Sequence, residues 1–193
     1  GIGWFSGGNI GWINDRQFWF QSEKTGYAHL YLYSLTDKVT TALTAGDYEV
    51  QSAQLSTDKK YFYISTNEVH PGEQQFYRLT ISNKKKERLT KMTGANQVTL
   101  SPDEKKLAIL YSYSNKPWEL YLQDNKPAAD PVQITTQATS SEFLNYDWRV
   151  PELITFKARD GATVYGRLYQ PKTPAASKPA VIFVHGAGYL QNA

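Results

Sequence analysis

The feature that most constrains this chain is a spacing. Leu43-Thr44 and Leu89-Thr90 begin 46 residues apart, and Ile134-Thr135 follows 45 later. Ser56-x-Asp58 recurs as Ser101-x-Asp103 after 45 residues, and Tyr31, Tyr77 and Tyr121 are separated by 46 and 44. Between these landmarks the apolar runs are strand-length and bounded by turn residues. They are Gln17 to Phe20, His29 to Tyr33 and Val39 to Thr44, then Tyr61 to Ile64, Gln75 to Leu79 and Glu87 to Thr90, then Leu107 to Leu110, Glu119 to Leu122 and Val132 to Thr135. A helical repeat of this length needs apolar residues at three-and-four spacing, whereas these segments alternate or run continuously apolar. Repeats of this length built from about four short strands are propeller blades. The fold expected is therefore mostly β, a partial β-propeller of about three four-stranded blades over residues 1–141.

Within a propeller each blade packs between two others, so the aromatic strands are read as blade cores rather than as a ligand site. Residues Gly1 to Trp12 read as a glycine-rich loop, which leaves the first repeat without a clean innermost strand. Three periods cannot close a ring, since propellers typically have four or more blades. Further blades are expected before Gly1.

Composition narrows the function classes. With 40% hydrophobic and 20% charged residues the chain is ordinary for a globular protein. Apolar runs of about five residues fall far short of the ~20 that cross a bilayer. The net charge is +3, and the densest basic run, Lys84-Lys85-Lys86 with Arg88, is broken by Glu87 and follows Ser82-Asn83. It reads as a solvated hairpin turn, and no nucleic-acid partner is expected. The absence of cysteine removes disulfides and thiolate zinc sites. No metal or cofactor is expected. The chain begins Gly1-Ile2-Gly3 without a signal peptide, so its true N-terminus is expected elsewhere.

After Thr136 the pattern changes. Residues 142–193 are read as a linker followed by the opening strands of an α/β-hydrolase domain. Leu153 to Lys157 is a strand, Arg159-Asp160-Gly161-Ala162 a tight turn and Val164 to Tyr169 its partner. Pro171 to Pro179 is an exposed loop leading into Ala180-Val181-Ile182-Phe183-Val184, a short strand expected to be buried on both faces. That strand ends at His185-Gly186-Ala187-Gly188, where small residues let backbone N–H groups approach a ligand oxygen, as in the oxyanion loop of α/β-hydrolases. His185, Gly186 and Ala187 are the oxyanion-hole candidates. No Gly-x-Ser-x-Gly nucleophile turn occurs in the 193 residues, so the chain reads as a piece of an enzyme.

The histidines and acids upstream read as structural. His70 lies in a polar loop and His29 in a blade strand, without a serine or metal-ligand partner at useful spacing. Glu23, Glu49 and Glu119 read as blade hydrogen-bonding or surface residues.

Taken together, these stretches resemble the prolyl oligopeptidase family of serine peptidases, in its dipeptidyl peptidase IV-like branch. Ser22-Glu23-Lys24-Thr25-Gly26-Tyr27-Ala28-His29-Leu30-Tyr31 is similar to the Ser-Glu-x-x-Gly-x-x-His-Leu-Tyr blade motif of that branch. Gly46-Asp47-Tyr48-Glu49-Val50 resembles its Gly-x-Trp-Glu-Val, with tyrosine for tryptophan, and Asp160-Gly161 resembles the hairpin that opens its hydrolase domain. The resemblance implies a Ser-Asp-His exopeptidase that releases N-terminal dipeptides after Pro or Ala, periplasmic or secreted, with peptides as substrate, and it allows a homodimer of the full-length protein. It places the triad beyond Ala193 and the glutamate pair that holds the substrate amine before Gly1, so the chain alone is expected to be inactive. The branch usually carries a tyrosine where this chain has His185. Two other readings stay open: a propeller interaction module with a vestigial hydrolase domain, and a non-peptidase acyl hydrolase such as an esterase.

Overall fold

The computed structural model describes residues 9–184. Three four-stranded antiparallel sheets follow one another along the chain, each strand bonded to its sequence neighbours. The first holds β1 (Ile10–Asn14), β2 (Gln17–Ser22), β3 (His29–Ser34) and β4 (Val39–Ala42). The second holds β5 (Val50–Leu55), β6 (Tyr61–Thr66), β7 (Gln75–Thr80) and β8 (Lys86–Arg88). The third holds β9 (Ala95–Leu100), β10 (Lys106–Tyr113), β11 (Lys116–Asp124) and β12 (Val132–Gln133). These are the expected blades, with a complete first repeat. Residues 10–14 are a strand rather than a loop: Gly11 lies under the Trp19 indole, where a Cβ would come within 2.7 Å of Nε1. A glycine inside a strand here marks a close approach, not a break.

The blades pack face to face, and strand alternation decides which side chain goes where. Phe62 and Ile64 of β6 enter one apolar cluster with Ile13, Trp19, Leu30 and Leu43 of the first blade. Tyr63, between them, enters the other cluster with Leu107, Ile109 and Tyr111 of the third. The middle blade is thus covered on both faces, and each fully buried Phe, Leu or Ile contributes about 1.5–3 kcal/mol. The end blades each keep one open face. Leu43 and Leu89 are 5% and 1% exposed, whereas Ile134, one period on, is 54% exposed.

Because strands alternate in direction, the Ser-x-Asp turns all fall at one end of the blades. Ser56 Oγ donates to Asp58 Oδ1 at 2.8 Å, which also accepts the Lys60 amide, and Tyr61 N donates back to Ser56 Oγ. Ser101, Asp103, Lys105 and Lys106 repeat those bonds. Lys59 and Glu104, 45 residues apart, both take the left-handed conformation. The passages from blade to blade fall at the opposite end.

The linker holds one short helix, α1 (Ser141–Asn145), capped by the Ser140 hydroxyl, which accepts the Phe143 amide. The expected hairpin follows as β13 (Glu152–Lys157) and β14 (Thr163–Leu168), paired from Glu152↔Leu168 to Lys157↔Thr163. It stands at the passage end of the blades, where the Tyr165 ring meets His70 edge-on at 5.1 Å.

The buried strand expected over Ala180 to Val184 is not formed. These residues have no strand hydrogen bonds, and Val181 is 99% exposed. An inner strand draws its bonds and burial from strands on both sides, and among the described residues no strand lies beside this one.

Candidate functional site

The passage end of the blades is built on one arrangement made three times. The last-strand threonine of each repeat, Thr44, Thr90 or Thr135, accepts a backbone amide from the third strand, that of Leu30, Phe76 or Leu120, at 3.0, 2.8 and 2.9 Å. Its hydroxyl proton then goes to the side chain one residue earlier. Thr90 Oγ1 donates to Gln75 Oε1 at 2.8 Å, and Thr135 Oγ1 to Glu119 Oε2. In the first blade the partner is His29 Nδ1, 3.0 Å from Thr44 Oγ1. The other ring nitrogen lies 2.9 Å from the Gly46 carbonyl, which can only accept, so Nε2 carries the proton and Nδ1 takes the threonine's.

Each of these side chains also holds the passage that leaves its blade. His29 donates to Gly46 O, and Gln75 Nε2 donates to Met92 O at 2.9 Å. Glu119 has no proton to give; its Oε1 accepts the Ala138 amide at 2.7 Å, so the third latch runs with reversed polarity. All three are buried, where an unmade bond costs ~1–3 kcal/mol.

The segment Gly46 to Val50 is accounted for in the same way. Gly46 is in the left-handed region with its Cα against the Tyr48 ring, 2.8 Å from where a Cβ would sit. Tyr48 meets His29 edge-on at 5.1 Å. Glu49 Oε2 accepts the Ala28 amide at 2.6 Å, and Val50 begins the next blade fully buried. Lys86 reaches this spot too, bonded to Tyr48 OH at 2.9 Å and paired with Glu68. Burial opposes its charge, but the Glu68 carboxylate and Tyr48 hydroxyl outweigh that and hold the ammonium above its ordinary value. The basic run is thus tied into the fold: Lys85 and Arg78 both pair with Glu87.

None of this is hydrolytic machinery. His70 Nδ1 accepts the Gly72 amide at 3.0 Å, and among the described residues neither His29 nor His70 is hydrogen-bonded to a serine. Ser56 and Ser101 are spent on their turns, and Ser22 accepts the Lys24 amide. Among the described residues no group of three His, Asp or Glu side chains is placed to hold a metal ion. His185, Gly186 and Ala187 lie outside the described residues.

What the passage end does offer is a cleft of about 530 Å³ between the second blade, the third blade and the hairpin. Gln51, Gln97, Tyr113 and Trp118 line it, together with Glu73 and Arg167. Sequence reading gave no signal for it. Its walls depend on two breaks in strand register: Gln51 is an extra residue between the pairs Val50↔Thr66 and Ser52↔Ser65, and Pro117 with Trp118 stands against Ser112 alone. Such bulges re-aim side chains, and Pro is tolerated there because it has no amide to offer.

Consecutive four-stranded blades, latched end to end and carrying a hairpin on the passage end, define a stretch of β-propeller. Residues 8–118 match the model of the dipeptidyl peptidase IV (DPP IV) N-terminal region, and the chain belongs to that family, among the prolyl oligopeptidase peptidases. It is 28% identical over 156 residues to the probable dipeptidyl peptidase 4 of Arthroderma benhamiae, covering 78% of this chain and 20% of that protein. It is 26% identical over 187 residues to dipeptidyl peptidase 4 of Arthroderma otae, covering 92% and 24%. With dipeptidyl peptidase 8 of Homo sapiens it shares 23% over 211 residues, covering 91% and 24%. The chain therefore spans about a fifth to a quarter of the length of these relatives.

Proposed function

We propose that the full-length protein is a serine exopeptidase that releases N-terminal dipeptides after Pro or Ala, working in the periplasm or outside the cell. The observation that carries this reading is the match of residues 8–118 to the dipeptidyl peptidase IV N-terminal region, with relatives named as dipeptidyl peptidases over most of the chain. In this reading residues 1–141 are propeller, joined by further blades, and 142–193 open the hydrolase domain. The open apolar face of the third blade, with Leu110, Leu122 and Ile134 exposed, suits another blade against it.

Acyl transfer needs an activated serine, a base, an orienting acid and oxyanion donors. Of these the chain contributes the donors. Val184 is followed by His185-Gly186-Ala187-Gly188, and the small residues around Ala187 favour the backbone N–H groups of Gly186 and Ala187 for the role. His185→Ala in the full-length enzyme then lowers turnover far less than the ~100–1,000-fold typical of a lost donor; a loss of several hundredfold at unchanged melting temperature would make the imidazole the donor.

The test of the reading is turnover of X-Pro and X-Ala amides by the full-length protein, with none by the 193-residue chain. Failure on both amides would favour a propeller that binds partners beside an inactive hydrolase domain.

A further inference from the structure

The last strand of each blade, β4, β8 or β12, is an edge of its sheet. All three keep one register, with Ala42, Arg88 and Gln133 opposite Tyr31, Tyr77 and Tyr121. In each blade the residue that follows turns its amide inward: Leu43 N donates to Leu30 O, Leu89 N to Phe76 O and Ile134 N to Leu120 O, at 2.8, 2.8 and 2.7 Å. Antiparallel residues alternate between bonding to the neighbouring strand and facing away from it. Positions 42, 88 and 133 therefore present their main-chain groups outward, and so do 40, 86 and 131. Two of the edges are blunted there. Just before β12 stands Pro131, which has no amide to offer, and β8 is the short charged run Lys86-Glu87-Arg88. β4 is Val39-Thr40-Thr41-Ala42, uncharged, without proline and exposed along its whole length. An edge of that kind is a template for another strand.

We infer that β4 is a self-association edge, on which two copies of this protein pair antiparallel about a twofold axis through Thr41. The outward groups choose that register. Thr40 of one copy exchanges both main-chain hydrogen bonds with Ala42 of the other, so Thr41 meets its own copy, Val39 meets Leu43, and Lys38 and Asp37 meet Thr44 and Ala45. A twofold contact needs a segment that complements itself, and this one does. No charge faces its like, the opposed threonines suit a cross-strand hydrogen bond, and Val39, 54% exposed, gains an apolar neighbour. The same axis drawn through β8 would set Glu87 against Glu87 and Lys86 against Arg88, and through β12 it would meet Pro131. That the one unblunted edge of the three is also self-complementary is what selects a second copy over a foreign strand. The contact joins two four-stranded blades into one continuous sheet. A single short edge supplies a small share of the ~1,200 Å² of a stable interface, so the association depends on concentration.

The experiment is oxidative cross-linking of the full-length protein, with sedimentation across a range of concentrations. Residues opposed in a non-hydrogen-bonded pair lie ~4.5 Å apart at Cα, within the span of a disulfide. Thr41→Cys therefore gives a covalent dimer that wild type does not. Thr36→Cys, exposed in the β3–β4 turn but away from the axis, gives none. Thr40→Pro copies Pro131 at the same register position, where the amide faces outward, so β4 keeps its bonds to β3. It removes the Thr41→Cys cross-link and weakens wild-type self-association about tenfold or more, as the loss of a central contact does. Thr40→Lys, which copies Lys86 and sets like charges across the axis, carries this arm if melting temperatures show the proline variant unfolded. A wild type that is monomeric at every concentration leaves β4 to a strand of another kind and overturns the proposal. So does a missing cross-link at position 41, equal cross-linking at 36 and 41, or self-association that the folded position-40 variants leave unchanged.

Discussion

His29 and Thr44 meet 3.0 Å apart out of contact with solvent, and the threonine that donates to the imidazole also accepts the Leu30 amide. The imidazole's other nitrogen holds Gly46 O, so one side chain closes the blade and secures the way out of it. Glutamine does the same work at position 75. His29→Ala in the full-length protein should cost ~1–3 kcal/mol, the range for stranding buried polar groups. His29→Gln should recover most of it. Denaturant midpoints decide, and a glutamine variant as weak as the alanine one would mean that packing against Tyr48, not hydrogen bonding, is what the ring supplies.

The Ser-x-Asp turns make part of the fold's stability dependent on acid. The Lys60 amide and then the Ser56 hydroxyl hold Asp58 below the ordinary 3.8, and the Ser101 hydroxyl and then the Lys105 amide do so for Asp103. A depressed carboxyl contributes stability that is complete above its ordinary value and is lost as pH falls through the folded one. Asp58→Asn with Asp103→Asn should therefore flatten the acid limb of a stability–pH curve below about 4. An unchanged limb would remove the turns from acid unfolding.

The alkaline side turns on Tyr111. Burial between the second and third blades pushes its hydroxyl up to about 12, and the hydroxyl donates to Thr93 O at 2.7 Å. A raised folded value means stability that is complete below the ordinary 10.0 and drains away as pH climbs to about 12. Tyr111→Phe should abolish that part of the decline, read from denaturation midpoints across the alkaline range.

Much of this fold was legible because its periodicity rests on large residues. The Leu-Thr pairs, the Ser-x-Asp turns and the hairpin around Asp160-Gly161 stand where the spacing puts them. The innermost strands did not show. β5 and β9 read Val-Gln-Ser-Ala-Gln-Leu and Ala-Asn-Gln-Val-Thr-Leu, a composition suited to a strand with one open edge and little apolar signal. β1 was hidden by Gly11, a residue that says loop until the Trp19 indole is seen lying on it. Ala180 to Val184 misled in the other direction, since apolar composition states what a strand needs and not whether its neighbours are there. The cleft was illegible for a further reason: a bulge is a mismatch between two strands, and neither strand encodes it alone.

Gly94 offers a sharp test of the cleft floor. It is left-handed and its Cα faces the Ser112 carbonyl, while Gly26 is also left-handed but has open space around it. Gly26→Ala should cost only the backbone strain, ~1–2 kcal/mol. Gly94→Ala must add the displacement of the 112–118 segment and should cost distinctly more. Comparable losses in thermal unfolding would show that the floor yields easily.

Ile134 tests the proposed further blade. In the 193-residue chain it is half exposed, and Ile134→Ser should change stability by less than ~0.5 kcal/mol. If another blade covers it in the full-length protein, the same change should cost ~2 kcal/mol or more, as at a core position. Equal small effects in both would leave that face open.

The reversed polarity at Glu119 separates two kinds of junction. Where blade follows blade, the latch side chain, His29 or Gln75, hands a proton to a carbonyl of the passage. Where the chain departs toward α1, the latch position itself is a carboxylate and grips the Ala138 amide instead. Glu119→Gln would bring a proton to an acceptor's place, setting the amide of position 138 and one carboxamide N–H against each other unless the side chain flips. A change invisible to charge-blind packing would then loosen the root of everything that follows residue 138, leaving the three blades as they are.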